Sequence, residues 1–159
     1  MVTKQDKISK LWIVICTSIL FVLIFTGPYQ ATVKSGSGRD YASYHYAVKS
    51  VYSGENPYDV GNLNALARRE GTRKSVHPFF YPPPSILSVL WVGPLSLKTG
   101  SVLYFFANQL FFLGNLWVIH RWRKLPWVTL LGVSILLWPI MDSMKMGQMN
   151  LFVGIFVTL

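Results

Sequence analysis

Charge is what this chain has least of. Only 13% of its 159 residues are Asp, Glu, Lys or Arg, against 52% hydrophobic, and a soluble domain of that size does not cover its surface with so little charge. An ordinary water-soluble domain is thereby excluded. Acidic residues are scarcer still, six against fifteen Lys and Arg, for a formal net charge of +9. In a soluble protein such an excess would point to nucleic acid. Here the basic residues gather beside apolar runs, at Lys4, Lys7 and Lys10, at 68–74 and at 121–124, where they anchor helix ends and attract anionic lipid. Membrane lipids are the expected partner and nucleic acid is not. The single cysteine, Cys16, sits inside an apolar run and offers neither a disulfide nor a Cys-based metal cluster.

What the chain does have is long apolar blocks, at 11–25, 85–97, 102–119, 127–140 and 151–159, each near or within reach of the roughly 20 apolar residues that span a bilayer. They predict an all-α, polytopic integral membrane bundle: a first transmembrane helix over 11–27, an outward loop over 28–84, and further membrane helices over 85–159. The first block lacks a small-x-small cleavage site after it, so it reads as an uncleaved helix rather than a signal peptide. Three lysines against one aspartate before it favour a cytoplasmic N-terminus. The last block stops with no flanking charge or aromatic belt, so the chain is expected to be the N-terminal portion of a longer protein. Residues 85–97 have two readings. A full crossing is favoured; a dip into the membrane would instead carry "HRWRK" at 120–124 to the cytoplasm.

The outward loop holds "GRDYASYHYAVKSVYSGENPYD" at 38–59. Tyr44, Ala47, Val48 and Val51 recur at i, i+3, i+4 and i+7, which predicts an amphipathic helix along the membrane surface. Gly54 is its expected stop and Asn56-Pro57 a turn. A second short helix is expected in "NLNALARRE", followed by an extended, proline-stiffened "HPFFYPPP". Asp40 begins the first helix. The simplest use of an acid there is to cap it. The other use is as a general base, and the two are compatible, because a helix N-terminus favours the proton-accepting form of a carboxylate.

The order "GRDYASYHYAVKSVYSGENPYD", then "FFYPPPSILSVLWVGPLSL", then an aromatic-rich helix with an internal Asn, then "MGQMNLFVGIF" resembles the N-terminal part of glycosyltransferase family 87, integral-membrane enzymes of the C-type fold. Tyr41 stands where the family commonly has Phe. The resemblance implies transfer of a hexose, with mannose favoured, from a polyprenyl-phosphate donor to a lipid or glycan acceptor hydroxyl, with inversion, at the extracytoplasmic face of the plasma membrane. It implies Asp40 as base and no metal or other cofactor. Arg39, Tyr41, Tyr44, Tyr58, His77, Tyr81, Gln148 and Asn150 are the candidate substrate contacts, although tyrosines also form interfacial belts and most basic residues of the loop serve as lipid anchors. A non-catalytic membrane scaffold or transporter subunit is the alternative. No internal repeat or broken-helix pair supports a transporter.

Overall fold

The computed structural model describes residues 4–27, 29–30, 39–72, 75–136, 139, 142–143 and 148. All regular structure among them is helical: α1 (Lys4–Thr26), α2 (Arg39–Tyr52), α3 (Val60–Arg69), α4 (Pro83–Val89) with a 3-10 turn at Leu90–Val92, α5 (Leu97–Arg123) and α6 (Trp127–Leu136). Two stretches, Lys7–Thr26 and Leu97–Arg123, are long and apolar enough to cross a membrane. The last expected block, 151–159, lies outside the described residues.

α1 and α5 run antiparallel. Phe25, at the end of α1, and Tyr29, just beyond it, meet Phe105 near the start of α5 with ring centroids 6.5 and 5.6 Å apart. Cys16 and Leu20, farther back on α1, share an apolar cluster with Phe112 and Leu116, farther along α5, and with Leu130 and Leu131 of α6. The Lys7 and Lys10 end of α1 therefore lies at the same end of the pair as Arg121, Arg123 and Lys124. Lys124 closes α5 in the left-handed region (φ 52°), and His120 stacks on Trp127 at 4.8 Å across the turn into α6.

At the opposite end, α2, α3 and α4 form a helical cap packed on the start of α5. Two expectations are corrected here. Residues 85–97 do not form a crossing helix: seven residues of α4 and three of the 3-10 turn cover about 15 Å at ~1.5 Å per residue, half of a ~30 Å hydrocarbon core. Pro82 and Pro83 start that helix, where a missing N–H costs nothing, and the Gly93-Pro94 pair breaks the chain before Ser96 caps α5 by accepting from the Thr99 N–H at 3.1 Å. Nor does α2 lie along a surface. Every residue from Tyr41 to Val48 is buried, because α3, α4 and α5 close over the faces expected to meet lipid and water; Val51, expected on the apolar face, is exposed.

The turns follow the expected chemistry. Gly54 ends α2 at φ 70°, with Glu55 N–H bonding back to the Ser50 carbonyl at 2.8 Å, the left-handed stop that glycine supplies without a Cβ penalty. Asp59 caps α3 through a 2.7 Å bond from Gly61 N–H. Lys49 of α2 pairs with Glu70 after α3. The cap meets α5 at Gly100, where a Cβ would land on the Tyr41 hydroxyl. Tyr41 is fully buried and cannot swing away, so Gly100→Ala is expected to lower stability by about 1–3 kcal/mol, the range for overpacked cores. Thermal unfolding in detergent measures it, and adding Tyr41→Phe should restore part of the loss; equal stability of Gly100→Ala and wild type would contradict this packing.

Candidate functional site

Asp40 stands in the first turn of α2, half-buried, within electrostatic reach of the Tyr44, Tyr81 and Tyr104 hydroxyls. Each of these tyrosines comes from a different element. Tyr44 lies one turn along α2 from Asp40, Tyr81 precedes α4, and Tyr104 is two turns into α5. Their rings interlock, with centroids 4.9 Å apart for Tyr44–Tyr81, 5.9 Å for Tyr44–Tyr104 and 5.1 Å for Tyr41–Tyr104. Edge-to-face and tilted contacts of this kind let the electron-poor rim of one ring meet the face of another.

Desolvation by burial raises the phenols of Tyr41, Tyr44 and Tyr81 above their ordinary value, because a phenolate has no water to stabilise it. They stay protonated at neutral pH and are not bases. Tyr44 approaches Tyr81 without completing a hydrogen bond of ordinary geometry, and the Tyr41 and Tyr44 hydroxyls are buried without a partner. Asp40 is the carboxyl group set beside these phenols.

His45, the other neutral-pH base nearby, is sealed. It is 0% exposed, neither ring nitrogen has a hydrogen-bond partner, and the rings of Tyr41 and Tyr46 flank it at 6.0 and 5.1 Å. Desolvation first, then the Lys49 charge, lowers it to about 4, with Glu70 opposing. Between that value and about 6.5 the unfolded chain takes up a proton that the native chain refuses, so stability is complete above pH 6.5 and is lost as pH falls towards 4. Unfolding midpoints are therefore expected to fall between pH 6.5 and 5 in wild type, and His45→Phe should flatten that interval. An unchanged slope in the variant would contradict the assignment.

The other expected contacts distribute as follows. Tyr58 is exposed and donates its hydroxyl to the Tyr81 carbonyl at 2.9 Å, so "GENPYD" and "YPPP" are joined directly. His77 is exposed on the strand-like approach to α4. Arg39 opens α2, but its side chain lies outside the described residues. Gln148 exchanges bonds with Ser143, accepting from its hydroxyl at 3.2 Å. Asn150 lies outside the described residues, as do Arg73 and Lys74. Lys49 is engaged with Glu70.

Sequence reasoning did not assign Tyr104, Trp91 or Asn108 to the site. The available signal was a polar amide near the middle of a membrane-length helix, costly unless it bonds to something. Asn108 is buried there. The class defined so far is a protein that is all-helical among the described residues, with two membrane-length helices and a helical cap that holds an acid–tyrosine cluster. No family model matches this chain, and no curated protein or solved structure matches it either.

Proposed function

We propose that the chain forms the N-terminal part of a multi-pass plasma-membrane glycosyltransferase, moving a hexose from a polyprenyl-phosphate donor to a lipid or glycan hydroxyl with inversion. One observation carries this reading. Asp40, the acid that the resemblance to glycosyltransferase family 87 singles out, stands where the cap meets a membrane-length helix, beside a set of neutral phenol donors. A sugar hydroxyl is a weak nucleophile until a positioned carboxylate takes its proton as the new bond forms, and the phosphate leaves from the opposite face of the anomeric carbon. Tyr81, partly exposed, can supply a donor for a substrate oxygen, and the nearby His45 is sealed from substrate. Reconstituted full-length chain should transfer label from a polyprenyl-phosphate hexose and not from a nucleotide-linked hexose. Transfer from the nucleotide sugar alone, or from neither, would contradict the reading, and the latter outcome favours a membrane scaffold.

The orientation in this proposal puts both basic ends of the antiparallel α1–α5 pair in the cytoplasm, in line with the positive-inside bias, and the cap outside. In a Cys16→Ser background, Lys10→Cys and Lys124→Cys are expected to react with a membrane-impermeant maleimide only after permeabilisation, whereas Tyr52→Cys reacts in intact cells. Labelling of the basic ends in intact cells would reverse the orientation.

A further inference from the structure

Beneath the acid–tyrosine cluster, between α4 and α5, lies a cavity of about 200 Å³ lined by Ser88, Val89, Trp91, Tyr104, Ala107, Asn108 and Phe111. Trp91 and Tyr104 lie nearly parallel, at 21° with centroids 6.4 Å apart, and both border the cavity. Trp91 is fixed by its indole N–H, which donates to the Ser88 carbonyl at 3.1 Å. Ser88 commits its hydroxyl proton to the Ser85 carbonyl at 2.7 Å, leaving its oxygen free to accept. The Tyr104 hydroxyl is buried, and Asn108 approaches it without completing a hydrogen bond of ordinary geometry.

No charged side chain lines this cavity, so a phosphate or carboxylate placed there would lose its hydration with no compensating charge. A plain hydrocarbon would leave the buried Tyr104 hydroxyl unpaired, which is costly, and would make no use of the Asn108 amide. What satisfies both walls is a neutral ring with apolar C–H bonds on one face and hydroxyls at its edge. Pockets for drug-sized ligands begin at roughly 300 Å³, so this one fits a single ring.

We infer that the Trp91–Tyr104–Asn108 cavity is the subsite for one neutral pyranose ring, held by C–H stacking on Trp91 and Tyr104 and by hydrogen bonds from Asn108 and the Tyr104 hydroxyl. The inference rests on the transferase reading for its biological sense, and Tyr104 physically links the cavity to Asp40. Its test is separate. Saturation-transfer NMR on the full chain in nanodiscs would compare three small probes: methyl mannopyranoside, cyclohexanol and methyl phosphate. The sugar's ring protons are expected to receive saturation, dropping at least fivefold in Trp91→Leu and Asn108→Leu, while Trp91→Phe, which keeps an aromatic face, retains at least half. Asp40→Asn should bind the sugar within twofold of wild type even where transfer is lost, so failure of catalysis and failure of this subsite are distinguishable. The inference is overturned if the sugar gives no signal, if cyclohexanol or methyl phosphate binds in preference to it, or if Trp91→Leu binds it as well as wild type. If Asn108→Leu does not fold, the Trp91→Leu and Trp91→Phe pair decides alone.

Discussion

Asp40→Asn is expected to cut hexose transfer at least 100-fold in reconstituted vesicles while leaving the chain folded. The substitution keeps size and shape and retains an oxygen able to accept backbone N–H bonds in the first turn of α2, but an amide cannot take the acceptor's proton. General-base catalysis contributes roughly 10²–10⁴-fold, and a 100-fold loss corresponds to about 2.7 kcal/mol of transition-state stabilisation. The neighbouring phenols cannot replace it, since burial holds Tyr44 and Tyr81 protonated, and His45 is shut away from substrate. Equal transfer by variant and wild type at matched expression would reduce Asp40 to a helix-end acid.

The largest stability effect is expected at Tyr44. Its ring is completely buried and touches Phe79, Tyr81 and Tyr104, at 6.1, 4.9 and 5.9 Å between centroids, so it ties α2 to the approach to α4 and to α5 at once. Tyr44→Ala should cost about 3–5 kcal/mol, the range for deleting a large buried aromatic side chain, because rings held by the approach to α4 and by α5 cannot all collapse into the space. Tyr44→Phe should be nearly neutral, as it removes a buried hydroxyl that makes no complete hydrogen bond. Denaturant unfolding in detergent measures both. A Tyr44→Phe loss as large as that of Tyr44→Ala would mean that the hydroxyl, not the ring, holds the cap.

Much of this architecture was legible in residue patterns. The apolar run after Lys10 and the one centred on Phe105 to Leu116 come near the roughly 20 residues that span a bilayer core and appear as α1 and α5. Gly54 and the "NLNALARRE" stretch mark where α2 stops and α3 forms, because stop and cap chemistry is local. What was not legible depends on packing. Periodicity in "YASYHYAVKSVY" shows one apolar stripe, yet α2 is covered on every side, since tyrosine, serine and histidine were buried by neighbours distant in the chain. Residues 85–97 are apolar enough for a span, but Pro82 to Pro84 and Gly93-Pro94 leave only a short helix between them. At the candidate site, Asp40, Tyr44 and Tyr81 could be named from the sequence. Trp91, Tyr104 and Asn108 could not, because only the docking of α4 on α5 brings them together.

The stereochemistry of the product tests the central claim most directly. Wild-type chain would be supplied with a polyprenyl-phosphate hexose of known anomeric configuration and an acceptor lipid, and the new glycosidic linkage read by the proton coupling at its anomeric carbon. Single displacement with Asp40 as base predicts the inverted anomer. A retained anomer would require a two-step route that one acid of this kind does not provide, and would contradict the account, as would the absence of any glycosylated product.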